Sequence, residues 1–395
     1  KGNGSSTGPI IDFGWEPQWV MVKNQDSTGS WYMFDCMRGI ITGQNDAKLQ
    51  ANESNLEEDD ADWLELTPTG FQLVNTNSNV NADHYNYLYV AIRRPDGWVS
   101  KPASAGTDVF AMDLGNASST IPTFDSGFPV DYAIVRQFAS TDNWGNYSRL
   151  TGDSYLRLNT TDSQGTYSGG KWDSNLGWAA TNYWDSNRLS WMFKRGPGFD
   201  VVAYEGNSQN SRIIRHSLGA APDMMWIKNR DDTTDWIVGH IGLDGGNEPW
   251  THYLKLNTND SEGDYDYFMD KAPTAYSFEV TTGAVNDTNK SYLALLFKSI
   301  TGISKAGSYT GTGMDETLSV TTGFQPRFLI IKGTASWYLF DTVRGWAAGN
   351  DEFMKVDTTS AQNGSYDWGA PTATGFDMSS YGNQIGQDYI YYAHA

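Results

Sequence analysis

Cysteine is almost missing from this sequence: Cys36 is the only one in 395 residues. An intrachain disulfide is thereby excluded, and the fold must stand on packing or on assembly. Long apolar runs are missing as well. Nothing approaches the roughly 18 to 20 consecutive apolar residues that span a bilayer, and the amino terminus shows no basic segment followed by an apolar one. Membrane insertion is not expected and no targeting signal is legible. Basic residues are scarce, 27 Lys and Arg against 47 Asp and Glu, which leaves a net charge of -20. Such a chain is repelled at long range by DNA, RNA and anionic membrane surfaces. Its basic clusters are no larger than pairs such as Arg93-Arg94 and Lys194-Arg195, so nucleic acid is not an expected partner.

Catalytic signatures are equally thin. His84, His216, His240, His252 and His394 show no His-x-x-x-His spacing, and a single cysteine cannot complete a zinc site. The sequence contains no Gly-x-Ser-x-Gly elbow, phosphate loop or dinucleotide fingerprint. A glycosidase needs only two facing carboxylates, but no repeat carries a distinctive acidic cluster among aromatics, and no enzyme activity is expected.

What the sequence does have is aromatic and turn-forming material. Sixteen Trp, 22 Tyr and 17 Phe make it 14% aromatic, enough for real cores, and its 41 Gly with many Asn, Asp, Ser and Thr supply turns. The composition reads all-β. It is also repetitive, which decides the architecture. A glycine is followed nine residues later by a basic residue across an apolar strand four times, as Gly14 to Lys23, Gly127 to Arg136, Gly219 to Lys228 and Gly323 to Lys332. Each instance leads through a polar turn to a tryptophan: Trp31, Trp144, Trp236 and Trp337. An aromatic strand ending in a Gly/Asn turn opens the third and fourth copies, at Tyr204-Glu205-Gly206-Asn207 and Tyr309-Thr310-Gly311-Thr312. An aromatic-rich strand closes every copy. Lys1-Gly2-Asn3 reads as the opening phrase without its strand, so the natural polypeptide is expected to extend upstream.

The repeats are placed at residues 1–94 (first strand missing), 110–198, 199–302 and 303–395. Roughly seven short strands in about 90 to 100 residues is the signature of a compact antiparallel sandwich. The expected fold is therefore all-β, a tandem array of antiparallel β-sandwich (jelly-roll-like) modules. Short joins would hold them as a semi-rigid string or ring.

The first and last repeats continue past the tryptophan almost identically, as Trp31-Tyr32-Met33-Phe34-Asp35 with Arg38-Gly39 and Trp337-Tyr338-Leu339-Phe340-Asp341 with Arg344-Gly345. These phrases resemble a module of virion and tail structural proteins of bacteriophages, marine ones especially. In that module Tyr-x-Gly-Asn-Gly leads to a Gly-x-x-Pro strand, then to Trp-x-x-Phe-Asp-x-x-Arg-Gly, a Gly-Phe turn and a Tyr-Ile-Tyr-Tyr-Ala-like strand. Residues 1–95 and 303–395 match well, whereas the two middle repeats lose Phe-Asp-x-x-Arg-Gly. The resemblance implies a virion structural protein, a tail fibre or other appendage with a scaffold or adhesive role toward the host surface. It further implies location on the extracellular particle, other virion proteins and further copies of itself as partners, and a host-surface glycan as the ligand if there is one. A capsid-decorating or head-fibre protein is the structural alternative, and a secreted carbohydrate-binding lectin or polysaccharide depolymerase the alternative of another class.

Several residues have two readings. Asp35 with Arg38 and Asp341 with Arg344 could clamp a sugar hydroxyl, but a pair recurring in a framework is better read as an ion pair holding a turn. Glu57 and Asp59 in the first repeat, and Asp260, Glu262 and Asp264 in the third, offer oxygen ligands of the kind Ca²⁺ takes, although neither stretch forms a known calcium loop. No other cofactor is expected. The four recurring tryptophans are read as core. Trp98, Trp172, Trp178, Trp184, Trp250 and Trp368 fall outside the shared framework and are the candidates for exposed ligand contacts, since loops carry function more often than frameworks.

Overall fold

The computed structural model describes residues 1–99, 101–179, 184–313 and 317–395. Strand makes up 38% of the chain and helix 3%, and the described helix consists of four short 3₁₀ turns, so the all-β expectation holds.

Repeat 3 shows the module plainly. Met224–Asn229, Ile237–His240, His252–Lys255 and Gly263–Asp264 form an antiparallel meander. The closing strand Ser291–Phe297 pairs with the first of these on one side and with the opening strand Phe199–Glu205 on the other. A second, two-stranded sheet, Arg212–Arg215 with Ser277–Val280, lies over one face. Met225, Ile227 and Leu296 point into the interior between the sheets, with Ile214, Phe278 and Val280 from the small sheet. The glycine that begins the pattern has a backbone reason. Gly14, Gly127, Gly219 and Gly323 all have φ between +76° and +91°, and nothing lies within 4 Å of a Cβ added at Gly14, Gly127 or Gly323. The left-handed turn into the strand selects glycine at all four positions, and at Gly219 the Gly97 carbonyl, 2.5 Å from an added Cβ, leaves no room for a side chain either.

Strand periodicity then poses a question. Every residue of Met224–Asn229 is buried, yet only alternate side chains meet the second sheet. Met224, Trp226, Val238 and Leu295 face the other way, into a core that draws on all four repeats. There, repeats 2, 3 and 4 close on one another in a ring. The indole N–H of Trp144 donates to the Lys355 carbonyl at 3.0 Å, that of Trp337 to the Lys255 carbonyl at 2.8 Å, and that of Trp236 to the Arg157 carbonyl at 2.8 Å. Each repeat thus gives one bond and takes one, in the cyclic order 2, 4, 3. Phe110 with Phe328, Phe193 with Phe199, and Phe297 with Tyr392 join the three pairs of repeats at ring-centroid distances of 5.0–5.2 Å.

The basic residue nine positions after the glycine belongs to the same joint. Lys228 is fully buried and donates to the carbonyls of its own turn and to the Thr161 carbonyl of repeat 2 at 3.0 Å. Arg136 likewise donates to the Thr359 carbonyl of repeat 4 at 2.7 Å. The recurring tryptophans therefore depart from the sequence reading in one respect. Trp144, Trp236 and Trp337 are buried, but between repeats, because their strand positions point away from their own second sheet.

Repeat 1 sits outside the ring. Its larger sheet has four strands, Leu49–Gln50, Tyr32–Asp35, Pro17–Asn24 and Tyr87–Arg93, with the closing strand at the edge where its sisters add an opening strand. The smaller sheet is Ile10–Asp12, Gly70–Leu73 and Leu64–Thr67. A buried quartet of charges fastens it to the ring. Arg195, at the end of repeat 2, grips both Glu16 carboxylate oxygens at 2.7 Å and reaches Asp200, at the start of repeat 3, at 2.8 Å. Arg94 spans the same two carboxylates, at 3.2 Å from Glu16 and 2.7 Å from Asp200. Two guanidiniums and two carboxylates, each less than a tenth exposed, cancel. Burial alone would raise the Asp200 carboxyl, but Arg94 and Arg195 outweigh it and bring it down to about 2.

Candidate functional site

Where repeat 1 leans on repeat 2, two adjoining depressions of about 640 and 590 Å³ form a groove that shares Cys36, Met37, Arg38 and Arg149 as its floor. The turn after Tyr32–Asp35 builds one wall. Asp35 accepts from the backbone N–H groups of Met37 and Arg38 and takes the Arg38 Nε at 2.5 Å, which holds the guanidinium flat along the groove. Arg38 Nη1 reaches Glu57 at 3.3 Å. The facing wall is built by Arg149, which is almost wholly buried. It donates to the Trp172 carbonyl and the Val130 carbonyl, both at 2.7 Å, and lies 5.8 Å from the Trp172 ring. Lys171, Asp173 and Asp59 complete the rim.

Six carboxylates balanced by four guanidiniums and two ammoniums beside Trp19 and Trp172 suit a neutral, hydroxyl-rich ligand, whose groups both donate and accept. No histidine is among the described lining residues. Burial, with Glu16 nearby, pushes the Cys36 thiol up to about 12, so it is protonated at neutral pH and a poor nucleophile.

Of the residues singled out from the sequence, this groove gathers Asp35, Arg38, Glu57, Asp59 and Trp172. The rest lie elsewhere. Trp98 is 43% exposed and stacks on Tyr276 of repeat 3 at 4.8 Å. The expectation of exposure fails for Trp172, Trp178, Trp184, Trp250 and Trp368, which are all buried. Inside repeat 2 Trp172 stacks on Trp178 at 4.7 Å and Trp184 meets Trp178 edge to face at 4.8 Å, Trp250 packs on Phe268 in repeat 3, and Trp368 packs on Tyr338 in repeat 4. Their large apolar area wins over their position between framework phrases.

The acidic candidates do not converge. Glu57 is engaged by Arg38, Asp260 lies 3.8 Å from Lys255, Glu262 accepts from the Asp244 N–H, and Asp264 sits in the edge strand Gly263–Asp264. Among the described residues no group of three or more His, Cys, Asp or Glu is placed to hold a metal ion. Sequence reasoning missed Arg149, whose signal was faint: an arginine beside the Trp144 strand with no counterpart in the other repeats.

The Asp-Arg phrase proves to be a turn-holding ion pair in both repeats that carry it, but in different surroundings. Asp341 and Arg344 are 2.6 Å apart, fully buried and covered by Trp191 of repeat 2. Asp35 and Arg38 are about a fifth exposed at the groove.

A family model described as a domain of unknown function, DUF7483, matches residues 1–95 and 190–395, leaving out most of repeat 2. No curated protein and no solved structure matches the chain.

Proposed function

We propose a structural role for this chain, which belongs to the DUF7483 family: a component of a bacteriophage particle, in a tail fibre or similar appendage, that serves as a scaffold and carries an adhesive groove toward host-surface glycans. One observation carries the reading. The phrases that recur from repeat to repeat, the tryptophan and the basic residue above all, are engaged in joining repeats to one another. A framework committed to assembly is what a load-bearing appendage needs, and the groove between repeats 1 and 2 is where the repeats differ, as expected of a binding site grafted onto a scaffold. The strongly acidic surface keeps such a scaffold from adsorbing to nucleic acid released at lysis.

Immunogold labelling and mass spectrometry of purified phage particles from a lysate containing the protein test the first half. The protein should co-purify and label an appendage; its retention in the soluble fraction would overturn the virion assignment. A glycan array with the intact chain tests the second half. Signal is expected, and Arg38→Gln should abolish it while leaving the melting temperature within a few degrees, because Arg38 is partly exposed. An array without signal would remove the adhesive role and leave the scaffold.

A further inference from the structure

The inner face of the larger sheet is covered by a sister repeat in three cases and uncovered in the fourth. On the closing strand of repeat 3 that face carries Leu293, Leu295 and Phe297, none more than 1% exposed. Register across the central strand pairs Lys228, Trp226 and Met224 with them, and the same register in repeat 1 pairs Lys23, Met21 and Trp19 with Leu88, Val90 and Ile92. These last three are 45, 44 and 49% exposed. The face has kept its apolar character without its cover, and a contiguous exposed apolar patch marks an association surface.

We infer that the chain forms a homotrimer in which three copies of repeat 1 close through this face as repeats 2, 3 and 4 close within one chain. The face is self-complementary in the way the ring requires. In the ring each tryptophan N–H finds the carbonyl of the residue paired, in the neighbouring repeat, with the position after that repeat's own tryptophan: Lys255 opposite Ile237, and Lys355 opposite Tyr338. In repeat 1 the corresponding acceptor is Gln50, opposite Tyr32, so the Trp31 N–H meets the carbonyl of Gln50 of the partner subunit. The buried basic residue reaches four positions further, to Thr161 after Arg157 and to Thr359 after Lys355. By the same count Lys23 meets the carbonyl of Ser54 of the partner subunit. Ser54 lies between Glu53 and Glu57, and the ammonium complements that acidic loop. Donor, acceptor and apolar surface thus lie on one face of one repeat, the requirement for a closed cyclic assembly.

Sedimentation equilibrium of the 395-residue chain reads the outcome directly: three times 43.8 kDa is expected. Val90→Asp puts a charge at the centre of the buried patch and should raise the trimer dissociation constant on the order of a hundredfold or more. Val90 is exposed in the single chain, so the melting temperature of the dissociated protein should not move. If Val90→Asp nevertheless misfolds, Leu88→Lys makes the same test from the neighbouring position. Trp31→Phe, which deletes only the indole N–H, should weaken association about tenfold. A monomer at tens of micromolar would overturn the inference and would equally be the result if another segment covers the face. A dimer, or a trimer indifferent to both charge substitutions, would place the contact elsewhere and overturn it too.

Discussion

Arg195→Met probes how repeat 1 is held to the ring. Methionine keeps the apolar stem and removes the guanidinium, so Glu16 and Asp200 are left to share Arg94 and one buried negative charge is unmatched. Breaking a buried ion pair from one side costs about 3–5 kcal/mol. The four participants are all less than a tenth exposed, so solvent screening does little to soften that. One core runs through all four repeats, and if the chain melts as a unit its unfolding entropy is about 0.8 kcal/mol per degree for 395 residues. The midpoint should therefore fall by about 4–6 °C, read by differential scanning calorimetry at pH 7. A second substitution separates charge imbalance from lost packing. In the Arg195→Met background, Glu16→Gln removes the surplus charge, so the double variant should be less destabilised than the sum of the single ones by about 1–3 kcal/mol. The single variant should also regain stability between pH 7 and 5, because an unmatched buried carboxylate takes up a proton more readily folded than unfolded. A midpoint shift below about 1 °C, or strict additivity in the cycle, would refute the view that the quartet fastens the repeats.

Two further outcomes follow from groups elsewhere. Burial lifts Asp46 to about 7, Asp62 to about 8 and Asp351 to about 6, whereas unfolded aspartates titrate near ~3.9. The folded state therefore binds more protons, and stability rises as pH falls from 8 toward 6. Burial also lowers His240 to about 4 and His394 to about 3. Below about 6.5 the unfolded chain takes protons that these folded histidines refuse, which offsets part of the gain from the three carboxyls. The melting temperature should therefore rise as the pH falls from about 8 to 6, less steeply than the three carboxyls alone would give, and a steady rise from pH 6 to 8 would contradict the assignment. Gly323→Ala should cost about 1–2 kcal/mol in chemical denaturation, because its φ of +91° is unfavourable for alanine although space is open. No loss there would mean that the turn can relax.

The module was legible in the sequence because period-2 alternation and fixed glycine spacing both report on backbone geometry, which every copy must satisfy alone. The ring was not. A tryptophan facing its own second sheet and one facing a sister repeat have the same strand context, and only the parity of Trp236 relative to Ile237 separates them. The acidic stretches misled for a similar reason: Glu57 and Asp59 are close in sequence, but Arg38 and the groove set where they point. The loop tryptophans lie outside the framework, which predicts exposure, yet in repeat 2 Trp172 and Trp184 join Trp178 of the small second sheet, Phe124–Asp125 with Gly177–Trp178, in filling the interior.

The divergence of the middle repeats has a physical logic that only the ring reveals. Register across the central strand makes Asp341, His240 and Ser148 equivalent, opposite Phe328, Met224 and Tyr132. In repeat 4 the neighbour presents an indole N–H, from Trp191, and the position is an acceptor, Asp341, at 3.2 Å. In repeat 3 the neighbour presents a backbone carbonyl, from Tyr391, and the position is His240, whose Nε2–H donates at 3.1 Å while its Nδ1 accepts from the Gly242 N–H at 3.0 Å. Those two bonds fix the neutral tautomer, in keeping with a pKa of about 4. Loss of the aspartate in repeat 3 is thus a change of partner, not decay of a motif. A ring of three identical modules would need one residue to suit every joint, whereas three linked, non-identical modules can match each joint separately. Repeat 1 keeps the aspartate as Asp35. There the position faces the groove to repeat 2 instead of a sister's closing strand, and the ion pair to Arg38 satisfies Asp35 within its own repeat.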